Sequence, residues 1–547
     1  MKRAFFLKKI PLVFFGLCAG FFILSLYFAE RNPLVSDIEP RTARPGDVLE
    51  ITGNYFGEDR GKVSVAGSFP VASEYIEWSP RRIRVRVPEE ASSGLVYVMT
   101  QGGRSEGLLF TNRNDIPLIL GASPQEARRP RIVSLTPSRA PVGGKISLSG
   151  SGFGYERGGG EVFFTWAGVE PGTASSALEG LRFIAASELD FDYESWSDKE
   201  ITLRVPSGAA SGVVKVKTAG GESNGVYFEL DHGSGRVMMG KKLSFTFTTQ
   251  LEALCLAQRY SGELYLWLPR VQETVSQRNV VMREAQPPAK IENLGGLTLF
   301  YEGGIFAGKS RVFSQTFSFD SFGMETRVEV HRIPSGYDTG RPLYTAYTAA
   351  DVFTPSTRPD VAAAARSAAG GEAHPYMKAR RLYNFVLSTL SPAPGSFASA
   401  EAGLKAKSGG AFTYASLYTA LLRSAGIPAR TVGGYIVPEK GRAEPHFWTE
   451  LYLENFGWFP ADPALAGRAQ AADFSVPDNP REYFFGSVTN RHVVFSRGLM
   501  RPRKLTPDGK ALEIKNPHSL QTVYAEAGGT EEALALEWKP PETLLGE

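Results

Sequence analysis

Gly409-Gly410-Ala411-Phe412-Thr413-Tyr414-Ala415-Ser416-Leu417 is the stretch on which the fold reading turns. The paired glycines let the chain turn sharply into a helix that starts near Ala411. Tyr414, Leu417, Tyr418, Leu421 and Leu422 give that helix an apolar stripe, and Gly426 ends it. Gly426-Ile427-Pro428-Ala429-Arg430 follows, then a predicted strand over Thr431–Val437 and a second one beginning at His446. Glu454-Asn455-Phe456-Gly457 is a turn candidate. His446 stands eight residues before Glu454 and Asp462 eight after it, so a hairpin turning there brings the two together across neighbouring strands. Asp462 would then accept from one imidazole nitrogen and fix the tautomer, leaving the other facing position 411.

Upstream of this stretch, Asp360–Ala369 and Pro375–Leu390 read as helices; the second carries Met377, Leu382, Tyr383, Val386 and Leu390 at helical spacing. Residues 241–355 read as a β-rich unit, with strand candidates at 243–247, 263–269 and 327–330. Residues 501–547 read as a strand or two and a loose acidic tail, on the strength of Pro540-Pro541 and the closing glutamates.

Further upstream lies an internal repeat. Pro45-Gly46-Asp47-Val48-Leu49-Glu50-Ile51-Thr52-Gly53-Asn54-Tyr55-Phe56-Gly57 is matched, at an offset of 97, by Pro141-Val142-Gly143-Gly144-Lys145-Ile146-Ser147-Leu148-Ser149-Gly150-Ser151-Gly152-Phe153-Gly154. Trp78-Ser79 pairs with Trp196-Ser197, Val87-Pro88 with Val205-Pro206, and Gly102-Gly103 with Gly220-Gly221, now at an offset of 118. The second copy therefore holds about 21 extra residues between Gly168 and Trp196. Alternation such as Ile83-Arg84-Val85-Arg86-Val87 has the period of a half-buried strand, and the spacing of turns predicts a β-sandwich for each copy. Arg81, Arg82, Arg84 and Arg86 fit a solvated strand face better than an anion-binding stripe.

Residues 10–29 carry no charge. Twenty helical residues span about 30 Å, the thickness of a bilayer core. Lys2, Arg3, Lys8 and Lys9 precede the segment, which predicts a signal-anchor with residues 1–9 in the cytoplasm and the bulk of the chain outside it. Tyr27-Phe28-Ala29 is a poor cleavage site, and Phe15-Gly16-Leu17 before Cys18 lacks the small residue that lipidation needs.

The 60 basic residues nearly cancel the 57 acidic ones, so no global field points to nucleic acid. The 547 residues exceed what one core holds, and the scattered 58 glycines and 36 prolines suit many short strands and turns. Cys18 and Cys255 are the two cysteines; neither lies near Ala411, and no disulfide framework is expected. His232, His331, His374, His492 and His518 show no paired ligand spacing, so no metal and no cofactor are expected.

Two resemblances follow. Residues 33–112 and 130–230, with Pro-Gly, Gly-x-x-Phe-Gly, Trp-Ser, Val-Pro and Gly-Gly in order twice, resemble IPT/TIG domains, which are immunoglobulin-like sandwiches. The region 241–500 resembles the transglutaminase-like superfamily, relatives of papain-fold thiol enzymes. The resemblance is carried by Gly410-Ala411-Phe412-Thr413-Tyr414-Ala415, by Leu421–Arg430, by His446-Phe447-Trp448-Thr449-Glu450 and by Gly457-Trp458 with Asp462-Pro463. Phe484-Phe485-Gly486 and Asn490-Arg491-His492-Val493 resemble the segment after the core.

Together, the residue patterns and the two resemblances give a multidomain chain: a transmembrane helix (10–29), two Ig-like β-sandwiches (33–112, 130–230), a β-rich domain (241–355), an α+β papain-like core (356–500) and C-terminal strands with a tail (501–547), while the second resemblance by itself concerns the papain-like core. It also implies His446 as base and Asp462 as orienter, with Gly410, Trp448 and Trp458 beside the cleft. Family members place cysteine at position 411, where a helix N-terminus lowers the thiol pKa. Here that position is alanine, which has no nucleophilic atom. Thr413 lies about 200° around the helix from it, and nothing supports Ser408 as a substitute. The leading expectation is a pseudoenzyme module in the cytoplasmic membrane of a bacterial envelope, binding a peptide, a peptidoglycan-related ligand or an envelope protein. The alternatives are an active hydrolase or acyltransferase with another nucleophile, and an architectural protein that binds through its TIG domains.

Overall fold

A computed structural model of the chain describes residues 32–88, 91, 94–112, 129–168, 182–255, 264–302, 309–470, 478–499, 510–514, 518–520, 523–527 and 534–545. The segment 10–29, read as membrane-spanning, lies outside them. Among the described residues no helix is long and apolar enough to cross a membrane. The chain divides into two compact units: the described residues of the first repeat fall in one, and those of the second repeat and everything described after it in the other.

Both repeats are two-sheet sandwiches with one strand order. In the first, Leu34–Glu39, Val48–Asn54, Arg82–Arg86 and Tyr75–Trp78 are neighbours in that order; in the second, Arg131–Thr136, Lys145–Ser151, Glu200–Arg204 and Tyr193–Trp196 are. The facing sheets also correspond, Thr42–Ala43, Leu108–Asn112, Gly94–Thr100 and Lys62–Val65 against Arg139–Ala140, Val226–Leu230, Ala209–Thr218 and Glu161–Trp166. Period-two alternation is the cause. Ile83 and Val85 are fully buried while Arg82 and Arg86 stand in solvent. Arg82 pairs with Glu77 at 2.7 Å and Arg84 approaches Glu50 at 3.8 Å, so the arginine stripe is a solvated face. The extra residues of the second copy add a fifth strand, Phe183–Ala185, beside Glu161–Trp166.

The β-rich domain is built from both ends of the chain's C-terminal half. The 21-residue strand Gly235–Cys255 pairs with Ser310–Val328, and also with Leu534–Trp538 and Glu542–Leu545. Leu264–Pro269 in the second sheet pairs with Leu297–Glu302 and with Val523–Ala527, beside which runs Lys510–Ile514. This corrects the reading of 501–547 as a strand or two and a loose tail. The prolines at 540 and 541 separate two strands, and the alternation of Ala535-Leu536-Glu537-Trp538 turns Leu536 and Trp538 onto the domain's apolar cluster at a sheet edge that would otherwise stay open. Likewise Pro342–Thr348, placed inside the β-rich unit, is a helix whose Leu343 and Tyr347 pack on the core's Tyr452 and Trp458.

The same C-terminal region buries His518 among Tyr435, Phe495 and Trp538, with ring centroids 4.6–5.0 Å away. Burial pushes its pKa down to about 3 from 6.5. The folded value lies below the unfolded one, so this contribution to stability is present above pH 6.5 and is lost as pH falls toward the folded value. Unfolding midpoints followed by circular dichroism should drop on acidification from neutrality to pH 4, with His518 accounting for about 3 kcal/mol. His518→Phe, which keeps the aromatic packing, should flatten that limb; an unchanged slope refutes the assignment.

The core proper consists of helices around a four-stranded antiparallel sheet. We label the helices α1 (Pro342–Thr348), α2 (Pro359–Ala369), α3 (Pro375–Thr389), α4 (Ala400–Ala406), α5 (Ala411–Ser424), α6 (Pro463–Ala466) and α7 (Pro480–Tyr483). The strands are β1 (Ala429–Ile436), β2 (Glu444–Leu453), β3 (Gly457–Ala461) and β4 (His492–Arg497), in the order β3-β2-β1-β4. Every residue of α5 from Ala411 to Arg423 is buried. Its stripe of Tyr414, Leu417, Tyr418, Leu421 and Leu422 is fully inaccessible, and α2, α3, α4, α6 and the sheet surround it.

The second sandwich is welded to this core through its extra residues. The Arg430 guanidinium, buried at 1% exposure, pairs with Asp190 from the inserted segment and with Glu450 of β2 at 2.7 Å. It also lies 3.7 Å from the centre of the Trp458 ring. The Tyr347 hydroxyl donates to the Leu189 carbonyl at 2.7 Å. Burial would raise the Asp190 carboxyl, but the charges of Arg430 and Arg497 outweigh it and hold it low. Asp192 beside it is pushed well up, by burial and then by the charge of Asp190.

Candidate functional site

Ala411 is the first residue of α5, and Gly410 is the N-cap. The glycines are required by close approach rather than by an unusual dihedral. A Cβ on Gly410 would meet the Ser396 carbonyl oxygen at 2.3 Å, and one on Gly409 would meet the Thr413 side chain at 2.4 Å. The segment 393–399 thus wraps the helix start: Thr413 Oγ1 donates to the Ala398 carbonyl at 2.7 Å, and Phe397 stacks on Phe412 with centroids 4.1 Å apart. Ala411 itself, 6% exposed, belongs to an apolar cluster that includes Ala461, Ala464 and Leu465, the neighbours of Asp462.

The hairpin expectation holds. β2 turns at Asn455, which has φ +63°, and β3 returns in register, Leu453 opposite Gly457 and Thr449 opposite Ala461. His446 Nε2 and Asp462 Oδ2 are 2.7 Å apart, and both residues are completely buried. Asp462 Oδ1 also accepts from Leu465 N at 2.9 Å, capping α6. A carboxylate only accepts, so Nε2 carries the imidazole proton. His446 Nδ1 is buried and has no hydrogen-bond partner among the described residues.

A third residue joins the pair. His492, at the start of β4, reaches the same Asp462 Oδ2 through Nε2 at 3.0 Å. His446 lies opposite Gly434 of β1, and His492 opposite Ile436, so the two imidazoles project from strands on either side of β1. Gly434 is essential there, because a Cβ would strike the Val493 carbonyl oxygen at 1.8 Å. Trp448 completes the enclosure, 5.9 Å from the His446 ring and 5.1 Å from that of His492. Burial would raise the Asp462 carboxyl, but the charges and hydrogen bonds of the two histidines reverse this and hold it well below the usual carboxylate range. Burial pushes the His492 pKa down, against the hydrogen bond to Asp462.

The expectation that no histidine shares a ligand set is corrected: the ligand atoms of His446, Asp462 and His492 lie within 4.8 Å of one another. The donor chemistry nevertheless fits a hydrogen-bonded triad. Thr489 N donates to His492 Nδ1 at 3.2 Å, so that nitrogen holds the lone pair and Nε2 holds the proton given to Asp462. A metal on Nε2 would push that proton to Nδ1, against the Thr489 N–H. His492 escaped the sequence reading because β4 reaches β1 through a bulge between Gly433 and Gly434, far along the chain. The signal in the sequence is Asn490-Arg491-His492-Val493, which resembles the family segment after the core.

The expected cleft residues are also corrected. Trp448 is 2% exposed and packs with Met324, Val432, Val488 and Val494; Trp458, 6% exposed, lies under Arg430. Both indoles are large apolar bodies that sheet alternation turns into packed interiors, where they brace the site instead of lining a groove. The Thr413 hydroxyl is occupied by Ala398 and faces the segment 393–399.

Residues 362–463 match the transglutaminase-like superfamily, and residues 33–112 match the IPT/TIG domain. The chain thus carries a transglutaminase-like domain and a TIG domain. A cyclomaltodextrin glucanotransferase of Paenibacillus macerans is 26% identical over 85 residues, covering 16% of this chain and 12% of that enzyme. Among solved structures, a Cytophaga hutchinsonii protein provisionally assigned as a cysteine protease is 15% identical at a TM-score of 0.39, covering 57% of this chain and 92% of its own. SGBP-B from a xyloglucan utilisation locus of Bacteroides uniformis is 11% identical at a TM-score of 0.14, covering 53% and 99%.

Proposed function

We propose that this protein is a membrane-anchored, extracytoplasmic envelope protein whose transglutaminase-like module is catalytically silent and acts as a rigid binding module. The observation that carries the reading is alanine at the position where the family resemblance places the nucleophile, in a domain whose His446–Asp462 pair is sealed from solvent. Without a thiolate, the pair has nothing to activate. Hydrogen-bonded to His492 and capping α6, Asp462 instead ties β2, β4 and α6 together. The anchor rests on the uncharged segment 10–29 and the lysines and arginine before it. The partner proposed is an envelope protein or a peptidoglycan-related peptide.

The test is turnover. Residues 30–547 and their His446→Ala variant are assayed for amine incorporation into a glutamine-containing protein and for hydrolysis of peptidoglycan stem peptides. Neither should exceed the uncatalysed rate. Turnover by the parent protein that disappears in His446→Ala would establish an enzyme with another nucleophile and sink the proposal.

A further inference from the structure

The two sandwiches present the same arginine to different surroundings. In the second, the Arg157 guanidinium lies over the Tyr193 ring at 4.7 Å and pairs through Nη2 with the Glu188 carboxylate. In the first, the Arg60 guanidinium lies over the Tyr75 ring at 5.1 Å. The construction is shared down to the hydroxyl, which accepts from Val63 N at 2.9 Å in one repeat and from Val162 N at 3.0 Å in the other. Stacking on the ring therefore leaves the guanidinium able to hold a carboxylate, as Arg157 does.

Glu188 belongs to the inserted segment, which first runs antiparallel to Glu161–Trp166 and then delivers its carboxylate three residues beyond the strand. The first repeat has no such insert. Among the described residues, Arg60 and Lys62 have no carboxylate partner. An open groove of about 890 Å³ occupies the place, lined by Arg60, Lys62, Phe69, Tyr75, Thr100 and Gln101, with no acidic residue among its walls. Phe69 on its rim is 55% exposed, and Val71 nearby is 61% exposed. Exposed apolar side chains beside unpaired cations mark a surface built for contact.

We propose that this groove binds an extended acidic peptide, with one carboxylate held by Arg60 as Glu188 is held by Arg157, and an apolar side chain resting on Phe69. A peptide is favoured because the occupant of the equivalent position in the second repeat is itself a peptide segment. Val65 and Ser68 already exchange backbone hydrogen bonds at the far end of the strand, so recognition falls on the arginine and the groove rather than on a long ladder. The site is independent of what position 411 does.

The experiment uses the full chain in detergent micelles and a fluorescein-labelled peptide copying residues 182–192, followed by fluorescence anisotropy. Saturable binding is expected. It should weaken at least tenfold in Arg60→Ala, about as much with the peptide carrying Glu188→Gln, and measurably in Lys62→Ala, which leaves the Tyr75 stack untouched. Unchanged melting curves for both variants separate lost binding from lost folding. Absence of saturable binding, or equal binding by Arg60→Ala, overturns the proposal. So does Arg60-dependent binding of polygalacturonate where the peptide does not bind, which would make the ligand an acidic glycan.

Discussion

Arg430→Ala should lower the stability of the unit that joins the second sandwich to the core by about 3–5 kcal/mol, the usual cost of leaving buried charges without their partner. The guanidinium is 1% exposed and is the counter-ion of both Asp190 and Glu450. Removing it strands the Glu450 carboxylate and leaves Asp190, which Arg430 chiefly holds low against burial, with only Arg497 at 3.8 Å. It also removes the cation over Trp458 and opens a void beside a cavity of about 30 Å³, room for a single water. Urea unfolding monitored by tryptophan fluorescence gives the shift. Arg430→Ala combined with Asp190→Asn and Glu450→Gln should recover part of the loss, because the stranded charges go with the arginine. A loss below about 1 kcal/mol would mean that the charges are solvated, and that the weld between the two domains is not electrostatic.

Asp462→Ala should be comparably severe, and for a different reason. Three buried donors, the Nε2–H groups of His446 and His492 and the Leu465 backbone N–H, lose their acceptor together. Each orphaned donor costs about 1–3 kcal/mol, so a total of at least about 3 kcal/mol is expected. Asp462→Asn keeps the capping oxygen and should lose less. The folded pKa of Asp462 lies below its unfolded 3.8. Its contribution is therefore fully present above about pH 4 and is lost as pH falls below that, so the gap between parent and Asp462→Ala should close in acid. A gap constant down to pH 2 would show that the carboxylate charge is not what the site uses. Both variants leave the absence of turnover unchanged under the proposed function, which separates a structural triad from a catalytic one.

Much of this was legible in the chain. The repeat landmarks foretold two sandwiches because turn residues and period-two alternation are local properties, read without knowing the partner strand. The turn at Glu454–Gly457 placed His446 against Asp462 because a hairpin converts equal spacing into proximity. Other features were not legible because they are long-range. His492 joins Asp462 only through a bulged strand on the far side of β1. The insert of the second repeat shows in the sequence only as about 21 extra residues until Asp190 is seen against Arg430, 240 residues away. The C-terminal strands read as tail because edge pairing is decided by the sheet that receives them.

Position 411 marks the division. The sequence alone determined that the helix after Gly409-Gly410 begins without a thiol and that His446 and Asp462 survive, because residue identity decides which atoms exist. Only the tertiary structure decided that both are sealed from solvent and that His446 shares its acceptor, Asp462, with His492. Burial and hydrogen-bond partners belong to the packed strands and helices, not to any segment of the chain.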